Sequence, residues 1–293
     1  MPTTMRRIVI TGGEGQLARA IRGVASGTKN EYIALSHRDA DICNREMMEQ
    51  LVKGGVDIVI NCAAYTNVDG AEESVYDEER INTYGVEVLA ELCAKYGVRL
   101  VHISTDFVFG GDDMRRTPYR ESDPAHPVNI YGRTKLDGEQ RALSNPDSII
   151  IRTSWLYAPW GKNFVRTILR LARNEGCVRV VDDQYGSPTS ALALARLLVD
   201  SIESGQIDSM SGIYHFANRG ETTWYDFART IVELSGVECR VDRCSTAERP
   251  SKAQRPAYSA LDCHRIESEC QITISPWREA LEECINLIRL RDE

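Results

Sequence analysis

The chain has 293 residues, enough for one sizeable hydrophobic core or two smaller domains. Its net charge of -8 argues against general binding of nucleic acid. No stretch approaches the roughly 20 apolar residues of a membrane span, and residues 1–7 lack the apolar core of a signal peptide. We therefore expect a cytoplasmic protein with no membrane association. Nine cysteines, an odd number without a C-x-x-C pair, argue against a disulfide framework and a zinc knuckle.

The first predicted strand runs into a glycine-rich turn. R-I-V-I-T at 7–11 is followed by G-G-E-G-Q-L-A at 12–18, which fits the G-x-G-x-x-A form of a dinucleotide-binding turn. Glycines permit the tight bend and let a pyrophosphate approach the backbone at a helix N-terminus. An ordinary strand, turn and helix is the alternative interpretation. The residues predicted to contact the cofactor here are Gly12, Gly15, Gln16 and Leu17.

The segment after the second predicted strand bears on the choice of cofactor. E-Y-I-A-L at 31–35 is followed by S-H-R at 36–38. An acidic residue at this place binds the free ribose 2'-OH of NAD, whereas an arginine suits the 2'-phosphate of NADP. Arg38 therefore favours NADPH, while Asp39 and Asp41 keep NADH possible.

Small or polar residues end the next two predicted strands. Ala63, Ala64 and Tyr65 follow the third strand, where small residues allow a cofactor to approach closely. A plain buried strand end would explain the two alanines equally well. The fourth strand ends in Thr105 and Asp106. Because the carboxyl ends of parallel strands face the ligand crevice, these two side chains are expected to point at the chemistry.

The segment Y-G-R-T-K at 131–135 places a phenol and an ammonium four positions apart, on one face of a predicted helix. At this spacing we expect Lys135 to hold its charge near the Tyr131 hydroxyl and to lower its pKa from the ordinary value of about 10. Tyr131 would then be a proton donor near neutrality. The spacing alone is weak evidence, because a solvated helix face produces it by chance.

Predicted strands and helices alternate along the chain. The strands lie near Ile8, Ile33, Ile58, Val101, Ile150, Val180 and Tyr214, and the helices around Arg19, Met48, Val88, Lys135, Leu169 and Leu194. Such alternation implies an α/β fold with a mostly parallel sheet and right-handed crossovers. The polar stretch at 110–118 is too long for an ordinary connection and is predicted to border the site.

Taken in order, these motifs resemble the extended, sugar-nucleotide-modifying branch of the short-chain dehydrogenases/reductases, and within it the dTDP-4-dehydrorhamnose reductase family. The further segments that carry this resemblance are N-C-A-A-Y-T-N-V-D at 61–69, R-T-S-W-L-Y at 152–157, D-D-Q-Y-G-S-P-T at 182–189, G-I-Y-H at 212–215, E-T-T-W at 221–224 and R-P-A-Y-S-A-L-D at 255–262. The resemblance runs from about Arg7 to Trp277.

The resemblance implies a Rossmann-type doubly wound parallel sheet with a smaller C-terminal α/β substrate domain. The dinucleotide-binding domain would comprise 1–155 with returning segments at about 178–218, and the substrate-binding domain 156–177 and 219–293. It also implies NADPH as cofactor, with NADH possible, and a dTDP-sugar as substrate. Asp41 and Ile42 match the family segment near the adenine.

Catalytic roles follow from the same resemblance. Tyr131 would donate a proton to the sugar O4, Lys135 would tune Tyr131 and bond the nicotinamide ribose, and Thr105 would polarise the ketone. Asp106 would orient the sugar hydroxyls or cap a neighbouring turn. Related dehydratases carry a glutamate base where this chain has Phe107, so the sequence favours reduction without elimination. The reductases usually have tyrosine at that position.

On the substrate side, the resemblance implies that Trp155 offers a flat apolar face to the sugar. Asn163 and Gln184 would supply amide hydrogen bonds. Arg255 would hold the diphosphate, since a guanidinium presents several donors in a fixed plane. An ordinary surface arginine is an equal alternative.

Some members of the family dimerise through glutamates that bind magnesium. The matching positions here are Ala20 and Leu192, so we expect no such metal site and either a monomer or a homodimer.

Two other functions stay open. The regulatory beta subunit of methionine adenosyltransferase resembles these reductases in its dinucleotide site and its Y-G-x-T-K helix, yet acts as a binding partner. Trp155 matches the reductases and not that subunit. The substrate could also be a GDP- or UDP-linked 4-keto sugar, because nothing in the sequence reads the nucleobase.

Overall fold

The computed structural model describes residues 5–112 and 114–292. Most of the segment 1–7, for which the sequence predicts no signal peptide, lies outside the described residues. Asp113 of the predicted polar loop also lies outside them. No helix within the described residues is long and apolar enough to cross a membrane. All nine cysteines are free thiols.

The strands are β1 (Arg7–Thr11), β2 (Glu31–Ala34), β3 (Ile58–Asn61), β4 (Arg99–Thr105), β5 (Ile149–Thr153), β6 (Leu156–Tyr157), β7 (Cys177–Val181), β8 (Tyr185–Gly186), β9 (Thr189–Ser190), β10 (Gly212–His215), β11 (Thr222–Thr223) and β12 (Arg240–Cys244). The helices are α1 (Gln16–Val24), α2 (Arg45–Lys53), α3 (Val68–Ala71), α4 (Val75–Glu79), α5 (Gly85–Tyr96), α6 (Ile130–Ala142), α7 (Phe164–Glu175), α8 (Ala191–Ser204), α9 (Trp224–Ser235), α10 (His264–Cys270) and α11 (Trp277–Asp292). A π-helical turn at Arg80–Tyr84 joins α4 to α5, and a 3-10 turn at Asp106–Val108 follows β4.

Six parallel strands form the central sheet in the order β10-β5-β4-β3-β1-β2. β1 pairs with β2 on one side and with β3 on the other, so the direction of winding reverses between β1 and β3. Open α/β sheets bind ligands at the carboxyl ends of strands beside such a reversal. The predicted α/β class with a Rossmann-type, doubly wound sheet is therefore confirmed. The register places Thr11 beside Asn61, and Asn61 beside His102.

Helices cover both faces of this sheet. Ile8 and Ile10 of β1 lie in the core beneath α1 and α8, whereas Val9 lies in the core beneath α2 and α5. Successive side chains of a strand point to opposite faces, so a strand buried on both sides must be apolar throughout. This explains the unbroken I-V-I runs at 8–10 and 58–60.

The positions matched to magnesium-binding glutamates lie in the first of these two cores. Ala20 is fully buried and Leu192 is buried, both within the apolar cluster that α1 and α8 share. Over the part of the chain that the structure describes, no three His, Cys, Asp or Glu side chains come close enough together to hold a metal ion.

A second layer of structure packs beside the central sheet. β7 pairs in parallel with β12, and α7, α9 and α11 cover them with a separate apolar core. The predicted strand at Val180 therefore exists but lies outside the central sheet. α8 is the element that packs back against α1. The division into two domains stays a prediction.

The polar loop after β4 turns back on itself. Gly110 and Pro127 form an antiparallel bridge, and the Gly111 amide donates to the His126 carbonyl at 2.9 Å. The Tyr119 ring stacks on the Phe109 ring with 4.1 Å between their centroids. The loop is thereby anchored to the body of the protein.

Candidate active site

A cavity of about 790 Å³ opens at the carboxyl edge of the central sheet, a volume typical of ligand pockets. It is bounded by the glycine turn, the ends of β3 and β4, the first turns of α6 and the segment 153–163. The predicted site residues that line it are Gly12, Gly15, Gln16, Leu17, Asp41, Ile42, Ala63, Ala64, Thr105, Asp106, Tyr131, Lys135, Trp155 and Asn163. Among the described residues, Arg38, Tyr65, Gln184, Arg255 and the loop residues 110–112 and 114–118 do not line it.

The glycine turn fits a phosphate-bearing ligand. Gly12 has a φ of +65°, and a Cβ built on it would lie 2.8 Å from the backbone nitrogen of Ala63, so the turn packs directly on the end of β3. α1 begins after Gly15 with no side-chain cap and no acidic residue in its first turn. Its first backbone N–H groups are therefore available to an anion.

The side chains that follow the second strand differ in whether they are free to bind a phosphate. The Asp39 carboxylate accepts from the Ser36 hydroxyl at 2.7 Å, and the Asp41 carboxylate accepts from the Cys43 amide at 3.0 Å. Arg38 is exposed and, among the described residues, makes no hydrogen bond or ion pair. Of these groups, the guanidinium is the one left free to bind a phosphate.

Tyr65 is held by its backbone rather than presented to the cavity. Its amide donates to Asn82 Oδ1 at 2.9 Å, and its carbonyl accepts from Asn82 Nδ2 at 3.1 Å. Asn82 lies in the π-helical turn, a distortion often found at functional sites. Sequence reasoning missed Asn82, which fixes the path of the chain along the cavity wall.

The end of β4 carries a buried carboxyl group. Asp106 accepts a hydrogen bond from the Ser259 hydroxyl at 2.5 Å. Burial raises the pKa of Asp106 to about 7, although hydrogen bonds with Ser259 and Thr105 oppose that rise. The Thr105 hydroxyl also accepts from the Phe107 amide at 3.2 Å. Ser259 was not predicted to act here, because the segment at 255–262 suggested only its arginine.

The Tyr131 hydroxyl is desolvated. Burial raises the pKa of Tyr131, and a hydrogen bond with Thr105 opposes the rise. The Phe107 ring meets the Tyr131 ring edge-on at 5.7 Å. A Cβ on Gly132 would come 2.0 Å from the Phe107 carbonyl oxygen, so this glycine is what lets α6 approach the turn after β4.

Lys135 is buried and points toward the sheet. Its ammonium donates to the Ile103 carbonyl at 2.7 Å, and its Nζ lies 3.4 Å from His102 Nε2. Burial lowers the pKa of Lys135 to about 8, against the attraction of Glu139 one turn along the helix. The expectation that Lys135 lowers the pKa of Tyr131 is therefore wrong, because desolvation of the phenol dominates and the ammonium is engaged elsewhere.

Trp155 forms one wall of the cavity in an unusual conformation. Its φ of +46° is in the left-handed region that side-chain-bearing residues rarely adopt. Its indole stacks on that of Trp224 with 3.5 Å between centroids and 9° between planes. A Cβ on Gly186 would lie 2.6 Å from the Trp155 ring. The indole is thus fixed from two directions, and Trp224 covers one of its faces.

Other residues predicted to contact substrate are occupied by the protein itself. Asn163 lines the cavity, but its Nδ2 donates to Gln16 Oε1 at 2.7 Å and its Oδ1 caps α7. Gln184 does not reach the cavity; its amide donates to the Thr246 hydroxyl at 2.9 Å. For Gln184, the substrate contact predicted from the sequence is not supported, because a neighbouring loop takes its donor.

Arg255 also lies away from the cavity. Its guanidinium is 3.4 Å from the Asp69 carboxylate, near the start of α6, and the contact ties the C-terminal segment to α3. This arrangement is closer to the alternative of an ordinary surface arginine than to an open diphosphate site.

A doubly wound sheet with a glycine turn, and a tyrosine–lysine pair at its carboxyl edge beside a strand-end threonine, defines an oxidoreductase of the extended short-chain dehydrogenase/reductase class. Comparison with known proteins narrows this class. The family model described as RmlD substrate binding domain matches residues 5–290, and the chain belongs to the dTDP-4-dehydrorhamnose reductase family.

Individual relatives agree with that assignment over nearly the whole chain. The dTDP-4-dehydrorhamnose reductase of Mycolicibacterium smegmatis is 40% identical over 283 residues, covering 96% of this chain and 85% of the relative. The crystal structure of a dTDP-4-dehydrorhamnose reductase from Clostridium acetobutylicum has a TM-score of 0.91 and 38% identity, covering 97% of this chain and 99% of that one. The enzyme of Bacillus anthracis, solved in complex with NADP, has a TM-score of 0.91 and 34% identity, covering 97% and 100%.

Proposed function

We propose that this protein uses NADPH to reduce the 4-keto group of dTDP-4-dehydro-L-rhamnose, yielding dTDP-L-rhamnose for cell-surface polysaccharide synthesis in the cytoplasm. The observation that carries the proposal is that Tyr131 and Thr105 line the same cavity as Lys135 and the glycine turn, at the end of β4. A proton donor, a polarising hydroxyl and a cofactor-binding turn then border one space.

The described residues fit NADPH. The uncapped N-terminus of α1 suits a pyrophosphate, and Ala63 and Ala64 leave room along the end of β3. Arg38 is free to meet a 2'-phosphate, whereas Asp39 and Asp41 are already engaged. A relative in this family binds NADP. When bound, the cofactor supplies the hydride.

Side chains of this protein would carry out the proton transfer to the sugar. Because burial raises the pKa of Tyr131, its hydroxyl stays protonated at neutral pH and can donate to the sugar O4. Thr105 would hydrogen-bond the same oxygen and favour its developing negative charge. With a pKa lowered to about 8 by burial, Lys135 is still mostly charged at neutral pH and would bond the nicotinamide ribose.

Phe107 supports reduction rather than elimination. Its ring packs against Tyr131 and contains no group that can remove a proton from a sugar carbon. Asp106 is a buried acid nearby, and its hydrogen bond from Ser259 suits a role in orienting the substrate.

The decisive experiment couples the protein to the epimerase that makes dTDP-4-dehydro-L-rhamnose from dTDP-4-dehydro-6-deoxyglucose. We expect NADPH oxidation and formation of dTDP-L-rhamnose with the epimerase present, and little NADPH oxidation without it, because the unepimerised sugar has different stereochemistry. Binding of NADPH without reduction of any 4-keto sugar nucleotide would favour the non-catalytic subunit. Preference for GDP- or UDP-linked substrates would mean that the natural substrate carries a nucleotide other than dTDP.

A monomer or a homodimer stays the prediction for the assembly.

A further inference from the structure

A row of buried polar side chains links β1 to the catalytic helix. The Thr11 hydroxyl donates to Asn61 Oδ1 at 2.6 Å, and Asn61 Nδ2 lies 3.0 Å from His102 Nδ1. His102 Nε2 in turn lies 3.4 Å from Lys135 Nζ. The first three side chains are 0% exposed and the lysine 1%. The hydrogen positions in this row are therefore dictated by the partners that the protein provides.

The backbone fixes the orientation of the Asn61 amide. Asn61 Oδ1 accepts from the Ala63 amide at 3.2 Å as well as from the Thr11 hydroxyl. A backbone N–H can only donate, so the oxygen of the side chain must lie on this side and its nitrogen on the other. Asn61 Nδ2 consequently donates to His102 Nδ1.

The orientation of Asn61 determines the tautomer of His102. Burial and the charge of Lys135 both lower the pKa of His102, which keeps the imidazole neutral. A neutral imidazole carries a single proton, and its Nδ1 is accepting. The proton must therefore be on Nε2, which faces Lys135.

This tautomer opposes the charged form of Lys135. An ammonium has three donors and no lone pair, so it cannot accept the N–H of His102, whereas a neutral amine can. The donor to the Ile103 carbonyl is retained in both forms. The contact between Nε2 and Nζ therefore favours loss of a proton from the lysine.

Other titratable groups around Lys135 come from three elements. Glu139 on α6 favours the ammonium, but a buried arginine pairs with that carboxylate at 2.7 Å. Burial raises the pKa of Cys62, which follows β3, to about 12, so its thiol is neutral. Burial raises the pKa of Glu78 on α4 to about 7. His102 Nε2 is the ring nitrogen that lies within hydrogen-bonding distance of Nζ, at 3.4 Å.

We propose that His102 is a positioning residue for the reaction: Asn61 holds it in the Nε2–H tautomer, and through that tautomer it makes Lys135 a lysine that exchanges its proton near neutral pH. The kinetic part of this inference rests on the proposed reductase function. The tautomer itself does not.

The tautomer is measured on the wild-type protein without cofactor or substrate. Two-bond proton–nitrogen spectra of protein labelled with ¹⁵N-histidine distinguish the two ring nitrogens, and His102→Gln identifies the signals of this residue. We expect a neutral Nε2–H imidazole from about pH 6 to about pH 9, a range in which an exposed histidine would titrate. An Nδ1–H tautomer or an imidazolium would overturn the proposal, whatever the enzyme reduces.

The pH dependence of turnover tests the effect on Lys135. The active lysine is the ammonium, so turnover falls as pH rises through its pKa. His102→Gln offers a carbonyl that can accept from the ammonium, and we expect the alkaline limb to move up by about 1 to 2 pH units, the scale of one hydrogen bond to a charged group. Thr11→Val is the matched control, because the Ala63 amide still orients Asn61; its limb should stay in place. An unmoved limb in His102→Gln would reduce His102 to a core residue.

Discussion

The two sides of the cavity are built differently. On the cofactor side, the turn at 12–18 and the end of β3 are positioned by backbone contacts, such as the close approach of Gly12 to Ala63. On the substrate side, side chains from distant segments meet, and Asn163 is occupied by other residues of the protein. A site built from backbone is visible in a short stretch of sequence. The availability of a side chain depends on what packs against it.

The largest expected effect sharpens this comparison on the cofactor side. Gly12→Ala should lower the free energy of unfolding by about 3 kcal/mol or more, since it adds both left-handed strain and a clash with Ala63. NADPH binding should be lost. Gly27→Ala is the control: it has a similar φ of +85° with no atom within 4 Å, and should cost about 1 to 2 kcal/mol. Equal losses in denaturant titrations would mean that the contact with Ala63 contributes nothing.

The next largest effect concerns proton donation by Tyr131. Tyr131→Phe should lower turnover by about a hundredfold or more, the scale of a lost general acid, while NADPH affinity is kept. The exposed Tyr76 offers a matched control, because Tyr76→Phe removes a hydroxyl from a residue that does not line the cavity. Near-normal turnover in Tyr131→Phe would refute its role as the proton donor.

A smaller effect tests whether the exposed Arg38 side chain binds the 2'-phosphate of the cofactor. Arg38→Ala should weaken NADPH binding by about 1 to 3 kcal/mol through loss of a charge-assisted hydrogen bond. NADH binding should barely change. Arg22→Ala, at the far end of α1, controls for loss of one surface charge. Equal losses for both cofactors in fluorescence titrations would show that Arg38 does not contact the 2'-phosphate.

The smallest expected effect tests the proposed difference between the two sides of the cavity. Trp155→Ala should raise the KM for the sugar nucleotide about tenfold, the scale of one lost aromatic contact, with little change for NADPH. Gln184→Ala should leave both KM values unchanged, because its amide bonds Thr246 outside the cavity. A raised sugar KM in Gln184→Ala, measured beside Trp155→Ala, would mean that the substrate side rearranges to use this amide.

The sequence predicted the sheet and the glycine turn well for a physical reason. A strand buried on both faces must be apolar throughout, and a tight turn against a strand must contain glycine, so I-V-I at 8–10 and Gly12 report structure directly. The strand at Val180 was equally visible, but its pairing with β12 was not, because nothing local distinguishes one parallel partner from another.

The chemistry of the site was less accessible from sequence. Spacing alone suggested that Lys135 acts on Tyr131, whereas its direction is set by the Ile103 carbonyl and by His102 on a neighbouring strand. Ser259 reaches Asp106 across 153 positions of sequence. Such contacts arise from tertiary packing, which no local pattern encodes.

The stacked indoles of Trp155 and Trp224 have an optical consequence. Two aromatic transitions held 3.5 Å apart couple to each other, so the ultraviolet circular dichroism of the pair differs from the sum of the two separate rings. One indole follows β5 of the central sheet and the other begins α9 of the second layer. The circular dichroism of this tryptophan pair therefore reports whether the two layers are packed against each other, and the measurement needs no added label.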